Sequence, residues 1–163
     1  LTGRSEAKRS ANHALKYEEI PENLRNAILT AEDQRFFEHF GLDPKGIARA
    51  FYQNISNYEI KQGGSTITQQ LVKNTFLSPE KSFYRKFEEA FLSIALENQM
   101  SKEDIFALYC NEIYLGQYGS AGVHGVEQAA RAFFDKDLKN INLTEAAAIA
   151  AMIKNPNHFA PHK

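Results

Sequence analysis

The chain has 163 residues, 43% of them apolar and 24% charged, with a formal net charge of -1. That length suits one domain with a real core, and the near-neutral balance excludes bulk attraction for nucleic acid or an acidic partner, so an anion site has to come from local clustering. The single cysteine, Cys110, excludes an internal disulfide, and no run of about 18 apolar residues offers a membrane span.

Residues 1–16 are polar, basic and aperiodic, and read as a flexible lead-in to a domain over 17–163. The start at Leu1 and the stop at Lys163 read as a domain cut from something longer. Pro21 suits a first helical turn, and Leu24, Ala27, Ile28 and Ala31 follow at helical spacing. That helix enters the stretch 31–43, where Glu32, Asp33, Glu38 and Asp43 interleave with Phe36, Phe37 and Phe40 around Arg35 and His39. These residues do not sort onto a polar and an apolar helix face. They read as a helix end entering a loop, with acids held at an apolar edge, where proton affinity is readily tuned. Composition leaves two readings open, an ion-paired helix terminus and an acid site.

Asp43-Pro44 reads as an N-cap with Pro at the first helical position, and Ile47, Ala50, Phe51 and Ile55 continue a second helix, followed by a link over 57–61. In Gly63-Gly64-Ser65-Thr66, the glycines permit close backbone approach and Ser65 or Thr66 can cap a helix whose free N–H groups favour anions. Ser78-Pro79 marks the start of the longest helix, to about Gln99. It has Phe83, Phe87, Ala90, Phe91 and Ile94 on one side and Leu92 and Leu96 opposite, the pattern of a buried central helix. Ser101 and Asp104 cap the next helix; residues 116–125, with glycines at 116, 119, 122 and 125, read as a loop; a helix spans 126–134; and Asn142 or Thr144 starts a last one that Asn155-Pro156 ends. With no convincing strand, the expected architecture is all-α.

On the long helix Arg85 and Glu89 share a face, next to Lys86. A carboxylate entering a core beside Arg is either a structural pair or a working group. Lys73, Arg85 and Lys86 could converge with the Gly63-Gly64 turn into one anion pocket, or be ordinary surface charges.

Five motifs in order resemble those of the peptidoglycan glycosyltransferases, glycosyltransferase family 51. The first is Glu32-Asp33 with Phe36, His39, Gly41 and Asp43; the second is 63–71 with Lys73-Asn74; the third is Arg85-Lys86 with Glu89. The fourth is Ile105 with Tyr109, Asn111, Tyr114, Leu115 and Gly116, and the fifth is Gly125-Val126, Ala129-Ala130 and Phe134. The 116–119 loop is most similar to bifunctional class A penicillin-binding proteins.

The resemblance implies a lysozyme-like helical fold, with a larger head lobe and a smaller membrane-facing jaw lobe that would contain Phe51, Tyr52 and Tyr58. It implies polymerisation of lipid II on the outer face of the cytoplasmic membrane, by a protein anchored through a transmembrane helix absent from this chain. β-1,4 bonds form with inversion, and undecaprenyl diphosphate leaves. By similarity Glu32 is the general base toward the acceptor's 4-hydroxyl, and Glu89 assists the diphosphate on the donor side. Lys73, Arg85 and Lys86 would hold the diphosphate, with Ser65, Gln69, Gln70 and Asn74 as donor-pocket hydrogen bonders. Asp33, Arg35 and His39 would frame Glu32, Gly63 and Gly64 would shape the pocket, and Tyr109, Asn111 and Tyr114 would brace the central helix. The implied partners are lipid II, the lipid-linked growing strand, the membrane surface, a moenomycin-type inhibitor, and a C-terminal transpeptidase domain with other cell-wall synthesis proteins. No nucleic acid is implied. No cofactor is required by the sequence; some family members are stimulated by a divalent ion, Mg or Mn, and diphosphate itself could recruit one. Asp135 departs from the family, which usually has Gly there; if the position needs a positive φ, Asp tolerates it better than most residues. Two other activities fit parts of the pattern. A lysozyme-like hydrolase or lytic transglycosylase would use the carboxylates but has no diphosphate to hold, and a non-catalytic cell-wall binding module would need neither.

Overall fold

The computed structural model describes residues 14–57, 64–78 and 82–159, with the backbone alone at 51, 53–57, 83 and 157. Most of the expected lead-in, most of the expected link, Tyr58, Gly63 and the Pro79 helix start lie outside those residues. Eight α-helices are present among them: α1 Glu22–Glu32, α2 Pro44–Asn57, α3 Ile67–Phe76, α4 Phe83–Gln99, α5 Lys102–Glu112, α6 Val126–Phe134, α7 Leu143–Lys154 and α8 Pro156–Phe159. The domain is all-α and lysozyme-like, with one small hairpin, β1 Tyr114–Tyr118 and β2 Ala121–His124.

Local chemistry sets most of the helix starts. Thr66 caps α3 and exchanges hydrogen bonds with Gln69 in a capping box. Ser82 caps α4, Ser101 caps α5, and Asn142 forms a box with Glu145 at α7. The main core is built from α1, α3, α5, α6 and α7, through Leu24, Ile28, Leu71, Phe106, Val126 and Ile149. Helix α1 lies along α7, α3 packs between α4 and α5, and the hairpin is covered by α6, α7 and α8. Helix α2 adds nothing to that core among the described residues. Asn111 makes a two-point clamp on Leu15, accepting from its N–H and donating to its carbonyl, so the chain entering the domain is tied to α5.

Two expectations are corrected. The region 116–125 is not a loop but an antiparallel hairpin, turning at Gly119-Ser120. Leu115 and Val123 point inward, but glycine at every third position breaks the apolar alternation that marks a strand. Gly119, at φ +62, supplies the turn.

The second correction concerns α4. Tyr84, Phe87 and Phe91 are each more than 70% exposed, whereas Glu89, Ser93 and Glu97 are buried. The helix is inverted, with a polar face inside. The Ser93 hydroxyl donates to the Glu89 carbonyl, Glu97 accepts from Thr68 and Lys102, and Glu89 pairs with Lys86. Buried polar groups persist because they have such partners, although among the described residues Glu97 Oε2 has none. Gly41, at φ +80, seats the 31–43 loop on this face: a Cβ there would lie 2.9 Å from the Ser93 backbone. Among the described residues, Tyr109 bonds Gln70, Asn111 bonds Leu15 and the Tyr114 ring meets His124.

Asp135 ends α6 in the left-handed region, at φ 52 and ψ 41, with its N–H and that of Lys136 returning to the last turn. This is the αL cap that glycine fills without strain. Asp135→Gly is expected to stabilise the domain by about 0.5–1 kcal/mol and Asp135→Val to destabilise it by at least as much, read from urea melts with activity unchanged for the glycine variant.

Candidate active site

The end of α1, the start of α2, the α3 N-terminus and the end of α7 surround a cleft of about 320 Å³. Glu32 enters it from the end of α1 with Asp33 behind it, Arg49 from α2, Gly64, Ser65, Gln70 and Lys73 from the α3 side, and Lys154 from α7. One wall is therefore acidic and the others carry three cations.

Glu32 is the last residue of α1 and half-buried. Its carboxylate accepts a 2.8 Å hydrogen bond from the Gln70 side-chain amide, and the Gln70 carbonyl accepts from the Tyr109 hydroxyl at 3.1 Å. Burial, and then the charge of Glu32, push the Tyr109 phenol well above its usual range, so it stays a donor. Asp33 turns the other way. It is buried, receives His39 Nε2 at 2.9 Å, and accepts the Ile67 N–H, the first of α3, at 3.0 Å. Arg35 bridges Glu38 and Asp43, whose carboxylates raise its proton affinity, the Glu38 hydrogen bond most.

The remaining expected site residues divide. Lys73, Ser65, Gln70 and Gly64 line the cleft. Lys86 stands at its edge, donating to Ser65 at 3.1 Å and pairing with Glu89. Glu89 itself is 2% exposed and lies behind Lys86. Gln69 is buried, with its side chain on the Thr66 N–H, so it caps α3 and does not face the cleft. Asn74 and Arg85 do not line the cleft, and the Arg85 Nε is buried with no partner. Gly63 lies outside the described residues.

Sequence reasoning missed Arg49 and Lys154 as cleft cations; Arg49 reaches Gln34 at 3.3 Å. Lys154 stands 81 residues after Lys73, and only its place before Asn155-Pro156 at a helix end hinted at it. Also missed was a buried group behind the acids, in which Lys102 donates to Glu97 at 2.7 Å, sits 4.3 Å over the Phe36 ring and approaches His39 Nδ1 at 3.5 Å. Among the described residues no group of three or more His, Cys, Asp or Glu is placed to hold a metal ion.

The arrangement offers a carboxylate acceptor for a proton on one wall and cations for an anionic group on the others. Against known sequences, the family model described as Transglycosylase matches residues 2–163. The chain is 46% identical to penicillin-binding protein 1A of Neisseria lactamica over 146 residues, covering 90% of this chain and 18% of that protein. It is 48% identical over 150 residues to penicillin-binding protein 1A of Clostridium tetani (strain Massachusetts / E88), covering 89% and 18%. For penicillin-binding protein 1A of Vibrio cholerae serotype O1 the figures are 46% over 147 residues, 90% and 17%. The chain spans under a fifth of the length of these curated relatives, at 17–18%.

His39→Ala leaves the buried Asp33 carboxylate with the Ile67 N–H as its remaining partner. We expect it to cost about 1–3 kcal/mol in a urea melt, with His39→Gln, which keeps a donor, recovering part of the loss.

Proposed function

Since the chain belongs to the transglycosylase family, the peptidoglycan glycosyltransferases, we propose that it polymerises glycan strands from lipid II, forming β-1,4 bonds with inversion and releasing undecaprenyl diphosphate. The observation that carries this reading is Glu32, held by Gln70 on the wall of a cleft that also carries Lys73, Arg49 and Lys154.

An alcohol attacking an anomeric carbon needs a proton acceptor on its own side. Glu32 takes the proton from the 4-hydroxyl of the acceptor sugar. The departing diphosphate gathers negative charge, and cations fixed in advance stabilise it as it forms. Lys73, Arg49 and Lys154 serve from the cleft walls and Lys86 from the edge beside Ser65. The burial of Glu89 supports an orienting role: it holds Lys86 toward Ser65 and does not itself deliver a proton. Separate groups for the attacking and leaving oxygens suit a single inverting displacement. Diphosphate is also what separates this reading from a hydrolase, which needs one carboxylate pair and no cation cluster.

The acceptor is the lipid-linked growing strand, so both substrates sit in a membrane. The exposed row Tyr84, Phe87, Phe91 and Ile94 on α4 supports contact with the bilayer surface, on the outer face of the cytoplasmic membrane. Among the described residues no helix is long and apolar enough to cross a membrane; the transmembrane anchor and a transpeptidase domain are assigned to the longer parent protein. The domain itself is assigned to 17–163, with 1–16 as lead-in.

Glu32→Gln is expected to lower polymerisation of labelled lipid II by about 10²–10⁴-fold while lipid II still binds. Normal polymerisation by this variant would remove Glu32 as the base, and shortening of preformed glycan without elongation by the parent would favour the hydrolase. Lys86→Ala should weaken binding of a moenomycin-type phosphoglycolipid; unchanged binding takes Lys86 out of the diphosphate site. Phe87→Ser/Phe91→Ser should reduce co-sedimentation with anionic vesicles several-fold and leave the thermal melt in place, whereas equal co-sedimentation would move the membrane contact elsewhere.

A further inference from the structure

The chemistry of the hydrogen-bond donors behind Glu32 assigns a role to a residue that never reaches the cleft. An ionised carboxylate can only accept, so the face of Gln70 toward Glu32 has to be its NH₂ group. The Gln70 carbonyl then points back into the core, where an unpaired acceptor would be costly. The Tyr109 hydroxyl meets it at 3.1 Å. Tyr109 is 1% exposed and belongs to α5, Gln70 to α3 and Glu32 to α1, so three helices meet in one directed chain of donors.

We propose that Tyr109 is a positioning residue for the transfer reaction: by donating to the Gln70 carbonyl it fixes the Gln70 amide with its N–H on Glu32, and so holds that carboxylate aimed before the acceptor arrives. This deepens the reading of Glu32 as the base and rests on it. The same bond leaves Gln70 one amide hydrogen for a ligand and no free carbonyl lone pair pointing at the acid. Burial keeps the phenol protonated, which prevents the chain from reversing. The other charges that face Glu32 are Asp33 beside it and Asp43, Arg49, Lys73 and Lys154 around the cleft. None of them bonds Tyr109, so a change at Tyr109 leaves that electrostatic background intact.

Tyr109→Phe removes one oxygen and keeps the ring in the core. Parent, Tyr109→Phe, Gln70→Ala and the double variant are compared by two measurements on the whole chain. One is a ¹³C NMR titration of the Glu32 carboxyl without substrate, assigned by its loss in Glu32→Gln. The other is the pH profile of kcat/KM on lipid II. Losing a donor to the charged form makes the carboxyl easier to protonate. The NMR midpoint in Tyr109→Phe should therefore rise, by less than in Gln70→Ala, which removes the direct donor, and the acid limb of kcat/KM should move up with it. At the plateau kcat should fall while KM changes less than about twofold. The double variant should titrate like Gln70→Ala, because Tyr109 acts through Gln70. An unmoved midpoint in folded Tyr109→Phe overturns the proposal, as does an equal shift from Tyr109→Phe in the Gln70→Ala background. A midpoint that moves while the rate profile stays fixed upholds the hold of Tyr109 on Glu32 and overturns Glu32 as the base.

Discussion

The structure turns on the buried carboxylate of Asp33. A buried charge survives only when its lone pairs are filled, and Asp33 is filled by His39 from the following loop and by the Ile67 N–H at the head of α3. One side chain therefore joins the C-terminal end of α1, the 31–43 loop and the N-terminal end of α3. The positive end of the α3 dipole favours that contact further. Glu32, the adjacent residue, is left on the cleft side because Asp33 takes the inward direction. Behind His39, the Lys102 ammonium lies 3.5 Å from His39 Nδ1, on the side of the ring away from Asp33. The framework of the acid site is a directed series of donors running from α5 to α1.

The same requirement explains why α4 is inside out. Its buried face meets the loop at Gly41 and the side chains of Thr68 and Lys102, all of them polar contacts. Glu97 and Ser93 answer them, and Glu89 continues the row toward Lys86. With the polar face turned inward, the aromatics at Tyr84, Phe87 and Phe91 have no core to enter. Under the proposed reaction, in which both substrates carry polyprenyl chains, a polar face toward the site and an exposed aromatic face would be two sides of one solution.

This division also shows what could be read in the sequence. Caps were partly legible because each is local: Ser101 with Asp104 stands out as a pair, whereas Thr66 is one of two candidates, Asn142 one of two, and Gln69, the partner of Thr66, reads as a pocket residue. The cleft residues Glu32, Ser65, Gln70 and Lys73 were legible as motifs. The burial of α4 was not, because Phe83, Phe87 and Phe91 repeat every four residues and so do Glu89, Ser93 and Glu97. Periodicity says that two faces differ, not which of them is inside, and only the partners on α3 and α5 decide that. The hairpin was hidden by its glycines. Long-range bonds such as Tyr109 to Gln70 and Lys102 to His39, 39 and 63 residues apart, leave no local trace.

Glu32 and Glu89 are alike in sequence but are held in opposite ways, which is the ground for proposing different roles for them. Glu32 is met by a neutral amide, which stabilises its charge without neutralising it and leaves its second oxygen to the cleft. Glu89 is met by the Lys86 ammonium and is sealed from solvent, so its charge is spent on a partner. A base must keep an unoccupied lone pair where a proton will arrive, whereas a counterion serves best when saturated. Lys86, drawn toward the core by Glu89 yet bonded to Ser65 at the cleft edge, is the joint between the two. The cleft thus has a carboxylate met by a neutral amide on one wall and, at its edge, a paired cation, the asymmetry that the proposed displacement, with a neutral nucleophile and an anionic leaving group, calls for.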